Sequence, residues 1–211
     1  MSKKFIGKLK ARLQAPLPGV TAQNKMRASR AGGQAISFSH KGAPRQGGVA
    51  IVLYQEQDKW YFPLIKRTEY PGIHSGQISL PGGKKEKEDY DLIGTAIREA
   101  NEELGLDLVP HHIIGSLTEL YIIASHFNIL PVVAVLNSPP DFKPDPREVH
   151  QVVPLMVDQL LNPDTKQIKD IEVRGIDIRA PYFKVDGQVV WGATAMILNE
   201  FLTVLSEIDY H

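Results

Sequence analysis

Residues 80–107 read LPGGKKEKEDYDLIGTAIREANEELGLD. On a helical wheel, Leu92, Ile93, Ala96, Ile97, Ala100 and Leu104 fall within an arc of about 140°, a face built to pack inward. Glu99, Glu102 and Glu103 fall within an arc of about 100° at the edge of that face, and Arg98 sits just beyond Glu102. The stretch is therefore a glycine turn and a charged loop feeding an amphipathic helix over 92–104. Its carboxylates crowd along the rim of the buried side.

Like charges at these i, i+3 and i+4 spacings cost about 0.2–0.5 kcal/mol per pair. Spacing alone leaves two readings open. One is a solvated acidic stripe; the other is a set of hard oxygen ligands whose repulsion Mg2+ or Mn2+ offsets. Pro81-Gly82-Gly83 turns the backbone with no Cβ in the way of a ligand. A carbonyl there, Gly83 foremost, is a candidate further ligand, although a glycine pair is also an ordinary strand exit. Neither GxxxxGK[ST] nor a helix-opening GxGxxG occurs, so neither phosphate cradle is supported.

On the N-terminal side, GGVAIVLYQ (47–55) and WYFPLIKR (60–67) are β-rich runs separated by a short polar link, the pattern of a hairpin. GQISL at 76–80 supplies a short third strand. On the C-terminal side, IIGSLTELYII (113–123) and FNILPVVAVL (127–136) read as strands, the second weakened at Pro131. QVVPLMVDQLLN (151–162) reads as a strand entering a short helix. PYFKVDGQVVWG (181–192) is a hairpin turning at Asp186-Gly187, and 193–208 closes the chain as an amphipathic helix. The sum is a mixed sheet with two principal helices, an α/β domain.

Ten basic residues and no acid precede Glu56, whereas the whole chain carries 24 of each sign. Residues 1–45 are accordingly expected to form a basic N-terminal arm, a weak helix over 5–13 followed by an extended lead-in, with the main domain over 46–211. The arm lacks the arginine-rich character of a transit peptide, and a cytoplasmic protein is expected. No apolar run is long enough for a membrane span, and no membrane partner is expected. With no cysteine in the chain, thiolate chemistry is excluded. The arm is not interleaved with aromatics, so no nucleic acid is expected as a partner. No GxSxG elbow marks a serine hydrolase, and the adjacent His111 and His112 diverge on any regular element.

The order G-x5-[acid]…R-E-x2-E-E-x-G-[apolar] resembles the signature of Nudix hydrolases, carried here by Gly83, Asp89, Arg98, Glu99, Glu102, Glu103, Gly105 and Leu106. Asp89 stands where the family usually has glutamate, and the span from it to Arg98 is one residue longer than usual. That longer loop resembles the coenzyme A pyrophosphatase branch. The preceding PLIKRTEYPGIHSGQISLPGG follows the branch pattern in Arg67, Thr68, Gly76 and 80–83, but Gly72 replaces its second arginine. The WGATA at 191–195 is also similar to the family, and the likeness spans residues 45–205.

The resemblance implies a Nudix-type α/β/α sandwich with a mixed central sheet, and hydrolysis of a nucleoside diphosphate linked to another group. It implies Mg2+ or Mn2+ held by Glu99 and Glu103, with Glu102 as a further ligand or as the base. Arg98 is expected to orient the carboxylates, and Glu148, in DPREVHQVVPL, is the alternative base. Arg67, His74, Gln77 and Gly82 are the candidate substrate contacts. The substrate implied is coenzyme A or a derivative. The competing readings are a pyrophosphatase for ADP-ribose, a dinucleotide or a nucleoside triphosphate, and a catalytically silent binding module. A homodimer is the candidate assembly.

Overall fold

The computed structural model describes residues 2–30, 38–68, 76–173 and 175–208. The chain begins with helices α1 (Ser2–Leu13) and α2 (Gly19–Asn24) and a short strand β1 (Ser29–Arg30). Strands β2 (Arg45–Glu56), β3 (Lys59–Arg67), β4 (Ile78–Ser79) and β5 (Gly82–Lys84) follow, then helix α3 (Leu92–Leu104). Next come β6 (Ile113–Ser116), β7 (Leu120–Ile122), β8 (Phe127–Val135), β9 (Val149–Met156) and α4 (Val157–Leu161). The chain closes with β10 (Lys166–Val173), β11 (Ile176–Val185), β12 (Gln188–Trp191) and α5 (Gly192–Ser206).

The hairpin of β2 and β3 organises the sheet. Its turn residues Gln57 and Asp58 both have positive φ, 47° and 61°, as the two-residue hairpin turn that suits strand twist requires. The two strands pair only from Tyr54 to Glu56 against Lys59 to Tyr61 and then splay. β2 continues between β5, antiparallel, and β8, parallel; β3 continues between β4 and β9, both antiparallel. Alternation along β2 assigns its two faces. Ala50 and Val52 pack with Ala96, Ala100 and Leu104 of α3, while Val49, Ile51 and Leu53 join Phe201, Leu202 and Leu205 of α5. A mixed sheet thus lies between helices, the α/β/α order expected. A smaller antiparallel sheet of β1, β10, β11 and β12 stands beside it.

Four expectations are corrected. Residues 113–123 form two strands rather than one, because β8 pairs β6 through Val132–Ala134 and β7 through Phe127–Ile129. Pro131 falls in that gap, so a proline without an N–H sits in a central strand at little cost. The N-terminal segment is not a surface arm over its helical part. Phe5, Leu9 and Leu13 of α1 are buried in the same cluster as α5, and Thr21–Asn24 are helical rather than extended. Two principal helices thus become three, α1, α3 and α5. Strand β10 had no alternation to announce it and forms because β11 offers it a full ladder. Among the described residues no helix is long and apolar enough to cross a membrane.

Candidate active site

Helix α3 is started and stopped by local chemistry. The Asp91 carboxylate accepts from the Gly94 N–H at 2.7 Å, satisfying a donor that the first turn leaves free. At the other end Gly105 takes φ +65°, and its N–H donates to the Asn101 carbonyl, a left-handed cap that glycine makes without strain. Asn101 then holds the departing chain, accepting from the Leu108 N–H and donating to the Leu108 carbonyl.

Between these caps the three glutamates diverge in environment. Glu103 is 1% exposed. Its Oε2 accepts from the Gly82 N–H at 2.7 Å, while Oε1 has no hydrogen-bond donor among the described residues. Arg67 Nη2 lies 3.3 Å from that Oε1 without hydrogen-bonding geometry. Glu99 is mostly buried and touches Gly83, where any Cβ would run into its carboxylate. Glu102 faces outward, its side chain 61% exposed, with its carboxylate 2.8 Å from Arg98 Nη1. The structure therefore brings Glu99 and Glu103 together against the Gly82–Gly83 backbone and leaves Glu102 at the rim.

Arg98 is the hub of the rim. It donates to both oxygens of Asp89, at 2.9 and 3.0 Å, to Glu102, and to the Lys84 carbonyl, and it lies 3.0 Å from Glu99. Asp89 also accepts from the Glu86 N–H and the Thr95 hydroxyl. That set, led by Arg98, holds the Asp89 carboxyl well below the usual carboxylate range and raises the Arg98 guanidinium in turn. Asp89 and Thr95 were not among the expected site residues. The signal was the acid itself, which in the sequence stands out only as a departure from the usual residue and spacing.

Burial is the first cause of the Glu103 shift. Burial raises the carboxyl, Arg67 and the Gly82 N–H oppose it, Glu99 and Glu148 add to it, and the balance leaves it pushed up to about 7. Glu99 is raised for the same leading reason, with Arg98 opposing and Glu102 and Glu148 adding. Glu148 is exposed, yet its charge reaches both buried carboxylates. It is brought there by the strand edge, since the Thr68 N–H donates to the Glu148 carbonyl at 3.1 Å.

Of the remaining expected contacts, Arg67 also donates to the Gly82 carbonyl at 3.1 Å, and Gly82 itself has φ +151°, with Gly48 and Val49 where a Cβ would go. The Gln77 carbonyl accepts from the Arg67 N–H. His74 and Gly72 lie outside the described residues. At Gly83 the property in use is the missing side chain that admits Glu99.

Among the described residues no three His, Asp or Glu side chains converge in a ligating arrangement. The donor chemistry nonetheless suits a hard dication. The Glu99 and Glu103 carboxylates are near enough to act on each other electrostatically, and one oxygen of Glu103 lacks a donor among the described residues. A buried charge of this kind calls for compensation.

The chain matches the NUDIX domain family across residues 44–176. It is 32% identical over 171 residues to Nudix hydrolase 15, mitochondrial, of Arabidopsis thaliana, covering 78% of this chain and 60% of that relative's length. It is 29% identical over 143 residues to the uncharacterized Nudix hydrolase NudL of Yersinia pestis (strain Pestoides F), 68% of this chain and 71% of that one. The fold is similar to that of a MutT/nudix family protein from Enterococcus faecalis. That likeness has a TM-score of 0.55 at 13% identity, over 95% of this chain and 73% of the other.

Proposed function

This chain belongs to the Nudix hydrolase family, and on that premise we propose that it hydrolyses the pyrophosphate bond of coenzyme A or a derivative. The products are (acyl-)4′-phosphopantetheine and adenosine 3′,5′-bisphosphate. The observation that carries the hydrolase reading is the pair Glu99 and Glu103, held against Gly82 and Gly83 with one buried oxygen left without a donor among the described residues. The branch is supported by the sequence around the site. The loop from Gly83 to Arg98 has the longer spacing, and Arg67, Gly76 and the Leu80-Pro81-Gly82-Gly83 run follow the branch pattern.

Glu99 and Glu103 are the residues that would hold Mg2+ or Mn2+. An ion bound there would supply positive charge to offset that of the diphosphate at the phosphorus under attack. The chain's own residues do the rest. Arg98, itself fixed by Asp89, holds Glu99 and Glu102 in place. Glu148 is exposed and acts electrostatically on both Glu99 and Glu103, which supports it as the base that takes the water proton. Glu102 is pinned by Arg98 and faces solvent, which makes it the weaker candidate for that step.

The test is a panel of coenzyme A, acyl-coenzyme A, ADP-ribose, NADH and nucleoside triphosphates with Mg2+ or Mn2+, the products resolved by mass. Release of adenosine 3′,5′-bisphosphate as the favoured reaction supports the proposal. Preference for ADP-ribose or a dinucleotide moves the chain to another branch, consistent with Gly72. No turnover of any of them, with ligand binding retained, leaves a silent binding module.

A further inference from the structure

We propose that Arg67 is a positioning residue for Glu103 rather than a contact for substrate. The inference rests on the reading of Glu103 given above. The peptide of Gly82 is used from both sides. Its N–H donates to Glu103 Oε2 at 2.7 Å, and its carbonyl accepts from Arg67 Nη2 at 3.1 Å. The same Nη2 stands 3.3 Å from Glu103 Oε1, close enough for charge compensation, while that oxygen accepts no hydrogen bond from the described residues. Arg67, Gly82 and Glu103 thus close a ring in which each group fixes the next.

The ring is built by the backbone and is not a chance approach of two surface charges. The register of β3 against β9 shifts between Lys66 and Arg67, and such an irregularity re-aims the side chain that follows it. The Arg67 N–H is held by the Gln77 carbonyl, and the next residue binds the Glu148 carbonyl. At the other corner Gly82 has φ +151°, with Gly48 and Val49 where a side chain would go. No other residue fits there without moving the peptide that both partners use. An arginine held by a carbonyl beside a carboxylate, but not bonded to it, compensates the charge and leaves the oxygen open. Partners of this outer kind commonly govern metal affinity by about 10- to 100-fold.

The experiment compares Arg67→Gln and Arg67→Lys with the parent full-length chain and with Glu103→Gln. Mn2+ binding is followed by electron paramagnetic resonance without substrate, kcat and KM are measured at saturating metal, and amide exchange of the 80–84 segment is measured without metal. Arg67→Gln is expected to weaken Mn2+ binding about 10- to 100-fold and to lower kcat while KM for substrate changes less than twofold. Exchange at Gly82 should accelerate, because Glu103 loses its neighbour and its hold on the N–H. Arg67→Lys should recover part of each effect by restoring the charge without the fork. Parent-like Mn2+ affinity and parent-like exchange with a tenfold higher KM would overturn the proposal and make Arg67 a substrate contact. If neither the parent nor Glu103→Gln binds Mn2+, the metal reading fails separately. The exchange data then decide the positioning role alone, with acceleration supporting it and unchanged exchange refuting it.

Discussion

Two glutamates among the described residues are buried on helices that flank opposite faces of one sheet, and they are treated in opposite ways. Glu200 of α5 is 0% exposed and fully tied. Its Oε1 accepts from the Gly19 and Thr118 N–H groups, and its Oε2 accepts from the Gln23 side chain. The Gln23 amide also reaches the Thr118 carbonyl, and Asn199 bonds the Ala22 carbonyl. The effect is to fasten α2 and the 117–119 loop to α5. Glu103 of α3 is equally buried but has one N–H, a guanidinium at ion-pair distance and an oxygen with no donor. A saturated buried carboxylate is a structural tie. One left short of partners, with other carboxylates acting on it, is where a ligand belongs.

Exchanging the two roles breaks the comparison if it is wrong. The largest effect is expected from Glu103→Gln, which should cut kcat on the order of 1000-fold, equivalent to about 4 kcal/mol of transition-state stabilisation. The thermal midpoint should stay level or rise, because a strained charge is removed. A collapsed fold, or activity kept within tenfold, would place Glu103 with Glu200 as a structural group.

The next effect is on pH. The Glu103 carboxyl in the folded chain lies at about 7 against an ordinary 4.5, so the folded form binds the proton more tightly. Without metal, this residue's contribution is complete below pH 4.5. It falls by about 3 kcal/mol as the pH rises to 7, and is level above that. Asp89, held low by Arg98, works with the opposite sign: its stabilisation is present above its ordinary 3.8 and is lost on acidification. Urea titrations across this range should show the Glu103 slope in the parent and lose it in Glu103→Gln.

Glu200→Ala should cost about 2 kcal/mol in urea unfolding, because two partly buried backbone donors and the buried Gln23 amide lose their acceptor. The kcat of the molecules that remain folded should be unchanged. A loss of kcat at full stability would dissolve the contrast between the two glutamates. Smallest of all, Asp91→Ala should cost about 1 kcal/mol through the lost cap of α3, measured by the same unfolding curve, with activity retained once the protein is folded.

Much of this arrangement is legible in the sequence. The inward face of α3, the hairpin of β2 and β3, the closing hairpin at Asp186-Gly187 and the helix after it follow from periodicity and turn residues acting within a few positions. Other elements are not legible there. Residues 166–173 become a strand only because β11 lies alongside, and α1 is buried because α5 presents an apolar face to Phe5, Leu9 and Leu13. A basic, weakly periodic segment carries no mark of its eventual partner. Within the site, a wheel ranks the three glutamates, with Glu103 among the apolar positions and Glu102 farthest from them, but it shows nothing of what each one touches, and Asp89 looks like a departure rather than the anchor of Arg98.

The sequence by itself determined that a helix with an apolar face would carry Glu99, Glu102 and Glu103, that glycines would stand before it, and that the chain would alternate strands and helices. These depend on side-chain period and local backbone freedom, which are written residue by residue. Only the tertiary structure decided what meets the three glutamates: the Gly82 N–H on Glu103, the Gly83 backbone against Glu99 and Arg98 on Glu102. It alone decided that Arg67 of β3 reaches Glu103 and that the charge of Glu148, at the entry to β9, acts on Glu99 and Glu103. Burial and the distances between remote charges arise only when separate strands are brought edge to edge, and they set what a carboxylate can do.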